Sequence, residues 1–227
     1  MYTLYIANKN YSSWSLRPWL LLAQLEIPFE EKQYRFADGV SSGQFREFSP
    51  TGLVPCLVDG DTTVWESLAI VEYVAEQYPR VWPTDPRARA WARSASAEMH
   101  ANFSALRNEC PMSLGIRMRL HQISDSLRAD IERIQALWNE GLTKFGGPFL
   151  AGAQFTAVDA FFAPVCFRIQ SYGLDIDQTC RDYMTHILQL PAMQAWTEAG
   201  LAETFREPLH EDEIAALGTI TEDLRAT

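Results

Sequence analysis

The sequence predicts an α+β protein in which a βαβαββα domain is followed by an all-α domain. Two observations predict this fold class: strand patterns alternate with helical patterns over residues 1–80, and only helical patterns remain over 87–227. Three prolines between residues 79 and 86 interrupt any helix there and mark a linker. We therefore place the domain boundary in this proline-rich segment.

The first domain begins with a predicted βαβ unit. Residues 2–7 are rich in aromatic and β-branched side chains, which is typical of a strand. A helix follows, with Ser15 as its expected cap and Pro28 as its stop. Residues 29–36 alternate polar and aromatic side chains and predict a second strand, parallel to the first with a right-handed crossover.

The rest of the first domain reads as a short helix, a hairpin and a longer helix. The short helix is expected near residues 44–48. Residues 53–65 form two strand patterns joined by Asp59-Gly60-Asp61, which is a hairpin signal. Apolar residues at helical spacing over 66–78 predict the longer helix, which ends before Pro79.

The second domain is predicted to consist of helices alone. Thr156 and Asp159 have the spacing of a capping box, which we interpret as folding chemistry only. The acidic segment 207–227 is expected to form a flap or a short helix and is assigned no chemistry. Helices are predicted over 87–109, 113–145, 156–172, 178–189 and 191–203.

Charge and composition exclude several classes of function. The 227 residues carry a formal net charge of −10, so the chain lacks the basic surface that nucleic acids require. Its apolar runs are far shorter than the roughly 20 residues that a membrane span needs. The first residues lack the basic region of a secretory leader, and we expect a cytoplasmic protein with no membrane partner.

The cysteines do not form a recognisable metal or redox motif. Cys56, Cys110, Cys166 and Cys180 are far apart, with no Cys-x-x-Cys spacing. This argues against a zinc site or a dithiol centre, and we expect no metal cofactor. Reduced and mostly buried thiols are the expectation.

A serine cluster lies between the first strand and the first helix. The free backbone N–H groups and the positive end of a helix favour an anion at such a position. A ligand thiolate is one such anion, and Ser12, Ser13 and Ser15 are the candidate residues beside it. Capping and turn formation alone are the alternative explanation of the same three serines, and from spacing alone the favoured one.

Two further dipeptides suggest a ligand site. Val54-Pro55 opens a predicted strand, and a cis bond there would turn the Val54 backbone towards a peptide-like ligand. Glu66-Ser67 lies at a strand-to-helix turn, where Ser67 suits a carboxylate and Glu66 suits an ammonium group. Strand initiation and a simple helix cap are the alternative explanations.

Together these features describe a pocket for a zwitterionic amino-acid end, an extended backbone and an anionic sulfur, which is the chemistry of glutathione. The element order, Val54-Pro55, Trp65-Glu66-Ser67, the proline-rich linker and the helical domain resemble the cytosolic glutathione S-transferases. The resemblance implies a thioredoxin-like first domain, glutathione as co-substrate, a small electrophilic second substrate and a homodimer. The segment Ser12-Ser13-Trp14-Ser15 is similar to the zeta-class pattern, which makes Ser12 the first candidate for hydrogen bonding to the sulfur.

The second-substrate site is expected between the two domains. Arg107 and Arg168 are candidates for holding an anionic substrate, although exposed arginines are usually solvated. A glutathione-dependent isomerase or dehalogenase, or a non-catalytic glutathione-binding scaffold, remain alternatives. The helical face expected to line the site comprises Met99, Asn102, Phe103 and Leu106, with Arg107 beside it. A stripe of this kind more often belongs to a protein core, which is the favoured alternative for at least half of its residues.

Overall fold

The structure is a computed structural model that describes residues 1–36 and 42–226. Its first part contains a four-stranded mixed sheet with the strand order β2-β1-β3-β4. Strands β1 and β2 are parallel, whereas β3 pairs antiparallel with both β1 and β4. The predicted βαβ unit and hairpin are thereby confirmed. The strands are β1 (Tyr2–Ile6), β2 (Phe29–Gln33), β3 (Cys56–Asp59) and β4 (Thr62–Trp65).

Helices α1 (Ser13–Gln24) and α3 (Ser67–Gln77) cover the sheet, and a short helix α2 (Ser42–Phe45) lies between β2 and β3. Leu4 and Ile6 of β1 are fully buried, because alternate residues of a strand face the same side of the sheet. The loop over residues 7–12 connects the end of β1 to the start of α1.

Helix α1 begins three residues earlier than predicted. Its cap is Ser12 and not Ser15, since the Ser12 hydroxyl accepts from the Ser15 backbone N–H at 3.4 Å. Pro18 consequently lies in the second turn of α1 instead of the first.

The linker contains a 3-10 turn at Pro79–Val81, and the chain then becomes predominantly helical. The single helix predicted over 87–109 is divided, because Phe103 adopts a left-handed conformation with φ 62° between α4 and α5. The helices are α4 (Pro86–Ala101), α5 (Ser104–Glu109), α6 (Asp125–Phe145), α7 (Ala157–Tyr172), α8 (Gln178–Leu188), α9 (Pro191–Ala202) and α10 (Pro208–Leu217).

A two-stranded sheet interrupts the helices of the second domain. Strand β5 (Ile116–Leu120) pairs antiparallel with β6 (Gly218–Asp223), so the helix predicted over 113–145 is wrong for its first part. The alternation in β5, with Ile116 and Met118 buried, is a strand pattern within the segment that was predicted as a helix. Its partner lies about a hundred residues further along the chain. The acidic C-terminal segment therefore forms helix α10 and strand β6.

Helix α7 is the centre of the second domain, and it packs against α1, α4, α8 and β5. Its capping box is confirmed: Asp159 Oδ2 accepts from the Thr156 backbone N–H at 2.9 Å. In the part of the chain that the structure describes, no helix combines the length and the apolar character that crossing a membrane requires.

Candidate active site

A cavity of about 470 Å³ opens at the start of α1, between the sheet domain and the helical domain. Residues from both domains and from the C-terminal segment form its walls, so it exists only in the assembled fold. The residues singled out in the sequence that line it are Ser12, Ser13, Val54, Pro55, Glu66, Arg107 and Arg168.

The three serines have different environments. Ser15 is fully buried, and its hydroxyl accepts from the Ala7 N–H at 3.2 Å and from the Ser12 hydroxyl at 2.7 Å. Ser15 is not among the cavity-lining residues, and its hydroxyl is committed to holding the turn together. Ser12 donates its only hydroxyl proton to Ser15 in this arrangement.

Ser13 is the hydroxyl best placed to donate into the cavity. Its Oγ accepts from Arg168 Nη2 at 3.5 Å, which leaves its own proton available. Ser13 is also the first residue of α1, where backbone N–H groups and the helix dipole attract negative charge. Both serines line the cavity, but Ser12 caps α1 and donates its proton to Ser15, whereas Ser13 keeps a proton to donate.

The remaining glutathione candidates flank the serines. The Val54–Pro55 peptide bond is cis, and both residues line the cavity. Glu66 is held at φ 68°, a left-handed conformation that is uncommon for a glutamate, and its half-exposed side chain lines the cavity. Ser67 is fully buried, and its Oγ has no hydrogen-bond partner among the described residues.

The residues predicted for the second substrate separate into two groups. Met99, Phe103 and Leu106 are buried in the core of the helical domain, and Asn102 is exposed, so none of the four lines the cavity. The apolar residues of α4 and α5, and Phe103 between them, therefore pack against neighbouring helices. Arg107 does reach the cavity.

Other residues complete the walls and were not singled out from the sequence. Several are aromatic, and His210 and Glu213 come from α10. The pairing of β6 with β5 brings α10 to the cavity. No local sequence pattern could therefore predict that α10 lies near the serines. These additional residues are Tyr11, Trp14, Phe36, Phe45, Thr51, Leu53, Pro111, Met112, His210 and Glu213.

Tyr11 joins the C-terminal segment to the loop before α1. Its hydroxyl donates to Glu211 Oε1 at 2.6 Å, and Arg225 binds the same carboxylate with contacts of 2.6 and 3.0 Å. Burial, together with the acceptor Glu211, raises the pKa of Tyr11, so the phenol stays protonated. The contact holds α10 against the cavity.

We expect Tyr11→Phe to lower the free energy of unfolding by about 1.5 to 3 kcal/mol, because it removes a hydrogen bond to a charged, partly buried acceptor. Denaturant titration measures the change. Tyr73→Phe is the matched control, since it removes a similar bond to Asp59 at the surface of the sheet domain, where water replaces the lost partner, and it should cost clearly less stability. Equal losses in the two variants would contradict the assigned role of Tyr11.

The described residues contain no group of three or more histidine, cysteine, aspartate or glutamate side chains arranged to hold a metal ion. All four cysteines are buried as free thiols. The polar groups at the cavity are hydroxyls, carboxylates, one imidazole and guanidinium groups, a set suited to binding a zwitterionic and anionic ligand.

A thioredoxin-like sheet domain, a helical domain and a cavity at the start of α1 define the two-domain transferase architecture. Family models for the glutathione S-transferase N-terminal and C-terminal domains match residues 11–77 and 89–199. The chain belongs to the glutathione S-transferase family.

Two relatives of low sequence identity match over most of the chain. Identity is 25% over 207 residues with glutathione S-transferase-like protein OpS6 of Beauveria bassiana, covering 86% of this chain and 88% of the relative. It is 26% over 184 residues with a probable maleylacetoacetate isomerase of Caenorhabditis elegans, covering 76% and 81%. A glutathione transferase homolog from Burkholderia, solved with bound glutathione, shares the fold with a TM-score of 0.65 at 21% identity, covering 88% and 97%.

Proposed function

We propose that this protein is a glutathione transferase that conjugates the glutathione thiolate to small electrophiles. The observation that carries the proposal is the convergence of Ser13, the Val54-Pro55 turn and Glu66 on one cavity at the start of α1. Ser13 suits the thiolate of glutathione, Val54-Pro55 suits its peptide backbone, and Glu66 suits its ammonium group. Ser67, next to Glu66, does not line the cavity, but its buried hydroxyl has no hydrogen-bond partner among the described residues.

The chemistry needs the thiolate form of glutathione. A serine hydroxyl is too weak an acid to act as an ionised base, so Ser13 would donate a hydrogen bond to the sulfur and stabilise the thiolate over the thiol. The thiol proton leaves to solvent through the open cavity. The sulfur lone pair then forms a bond to an electrophilic carbon, and the leaving group departs with its bonding electrons.

The second substrate would occupy the part of the cavity beside the aromatic side chains of Tyr11, Phe36 and Phe45. This wall includes residues of the loop before α1 and of α2, and His210 of α10 packs against it, with its ring centre 5.1 Å from that of Phe36. By family resemblance we also propose a cytoplasmic homodimer, which sedimentation analysis of the purified protein tests.

A glutathione-dependent isomerase is the second candidate. Arg107 and Arg168 line the cavity, and each has one buried guanidinium nitrogen without a partner among the described residues, which suits an acidic substrate. The Caenorhabditis elegans relative is named as a probable maleylacetoacetate isomerase. An isomerase would return glutathione unchanged, whereas a transferase consumes it in proportion to the product.

The first test is calorimetric titration of glutathione, followed by the ultraviolet difference spectrum of the bound thiolate across about pH 5 to 9. Binding with a thiol pKa about one to two units below the free value of about 8.5 supports a transferase. Binding with an unchanged thiol pKa points to a scaffold, and absence of binding contradicts the proposal.

We expect Glu66→Gln to weaken glutathione binding by about 1 to 3 kcal/mol, because it removes the charge that pairs with the ammonium group while keeping the side-chain shape. Calorimetry measures the loss. Glu72→Gln on the same helix is the matched control, since Glu72 pairs with Arg93 at the surface and does not line the cavity. Unchanged affinity in Glu66→Gln would remove Glu66 from the site.

A further inference from the structure

Three arginines gather behind the serine turn. We call Arg17, Arg107 and Arg168 the arginine cluster. Arg17 is fully buried, and its three guanidinium nitrogens have no hydrogen-bond partner in the described parts of the chain. Its guanidinium carbon lies 4.2 Å from the ring centre of Trp14 and 5.0 Å from that of Phe161. Among the residues that the structure describes, aromatic faces and no carboxylates lie against this cation.

The other two members connect the cluster to the cavity. Arg168 donates to the Cys110 carbonyl at 2.7 Å and to the Ser13 hydroxyl at 3.5 Å. Arg107 donates to the Asn102 carbonyl at 3.1 Å and lies 4.6 Å from the Trp14 ring. Arg17 and Arg107 thus both contact Trp14, which is itself a cavity residue.

The charged neighbours do not neutralise Arg17. Burial, together with Arg107 and Arg168, lowers its pKa, and no carboxylate among the described residues offsets them. Asp130 of α6 acts on Arg107 and accepts from the Leu106 N–H at 2.9 Å. His100 of α4 faces Glu66 at 4.0 Å, and burial and Arg17 lower the pKa of this histidine.

This arrangement opposes stability. A buried cation without a partner is costly, and the N-terminal end of a helix is already positive, so a carboxylate would be the stabilising residue there. Side chains on a helix point back towards its N-terminus, and Arg17 follows Ser13 by four residues. The charge of Arg17 is therefore directed at the end of α1 where the proposed thiolate would lie.

We infer that Arg17 is a positioning residue whose unneutralised charge favours the thiolate form of glutathione bound at Ser13. The charge acts across the Trp14 ring, together with the other two members of the arginine cluster. This inference rests on the proposed function. When the glutathione thiol ionises, its S–H bond breaks and the proton passes to solvent. No other bond changes. Ser13 supplies the local hydrogen bond, while Arg17 supplies a field from a region that water does not reach.

The test compares Arg17→Met with Arg17→Lys. We expect Arg17→Met to bind glutathione and to raise the pKa of the bound thiol by about one unit, a tenfold change in ionisation. Its thermal unfolding midpoint should stay unchanged or rise by a few degrees, because a similar-sized apolar side chain replaces an unpaired buried charge. Arg17→Lys keeps the charge and should keep the thiol pKa close to that of the wild type.

Arg133→Met is the matched control, since it removes the same charge from a surface pair with Glu98 and should leave the thiol pKa unchanged. Should Arg17→Met not fold, Arg107→Met provides the second variant, with an expected rise in the same direction. If the wild type lowers the thiol pKa and every folded cluster variant keeps it low, the inference is overturned while the proposed function stands. If the wild type binds no glutathione, both are overturned.

Discussion

Ser13→Ala is expected to lower turnover of glutathione with an electrophile by about 10- to 100-fold, with only a small change in glutathione affinity. The hydroxyl faces the cavity and keeps a proton to donate, because its oxygen already accepts from Arg168. Steady-state kinetics give the rate loss. The spectrum of the bound thiolate should show a thiol pKa raised by about one unit.

Ser12→Ala separates the two neighbouring serines. Its expected effect is on stability, with a loss of about 0.5 to 2 kcal/mol, since the Ser12 hydroxyl caps α1 and binds Ser15. If Ser12→Ala lost the activity while Ser13→Ala kept it, the resemblance-based assignment to Ser12 would be correct and the assignment to Ser13 wrong.

Asp159→Ala is expected to lower the free energy of unfolding by about 3 to 5 kcal/mol. The fully buried carboxylate accepts from the backbone N–H groups of Leu150 and Thr156, both at 2.9 Å, and from the Tyr183 hydroxyl at 3.1 Å. The Thr156 hydroxyl also donates to it at 3.4 Å, so its removal leaves four buried donors without their acceptor. Denaturant unfolding at a fixed pH measures the loss.

Asp177→Ala is the control, because Asp177 also caps a helix, α8, but its carboxylate is largely solvated: it accepts from the Cys180 N–H at 2.8 Å and, at the surface, from Asn139 Nδ2 at 2.6 Å. We expect a loss of about 1 kcal/mol there. Similar losses in the two variants would show that the network around Asp159 adds nothing to an ordinary helix cap.

The same carboxyl gives a pH dependence of stability. Burial raises the pKa of Asp159 from 3.8 to about 6, against the lowering effect of its hydrogen-bond donors. Because the folded pKa lies above the unfolded one, its stabilising contribution is complete below pH 3.8 and is lost as the pH rises through about 6. Relative to Asp159→Asn, the wild type should therefore lose stability over this interval, and a constant difference between them would contradict the raised pKa.

Local sequence patterns predicted most of the fold. The strands of the first domain, the hairpin turn at Asp59-Gly60-Asp61 and the capping box at Asp159 depend on side-chain alternation, turn residues and cap spacing, which act over a few residues. The β5–β6 pair was missed because its two strands are about a hundred residues apart, and the energy of pairing is not visible in either strand alone.

Local patterns were enough to predict the family resemblance and the residue types at the candidate site: hydroxyls at a helix start, a proline-opened strand and a glutamate-serine turn. Which of these residues share a cavity depends on the tertiary structure. It placed Ser15 and Met99 in the interior, because a residue's exposure depends on the elements packed over it. It also brought Arg17 and Arg168, 151 residues apart in sequence, close enough for their charges to interact, because α7 packs against α1.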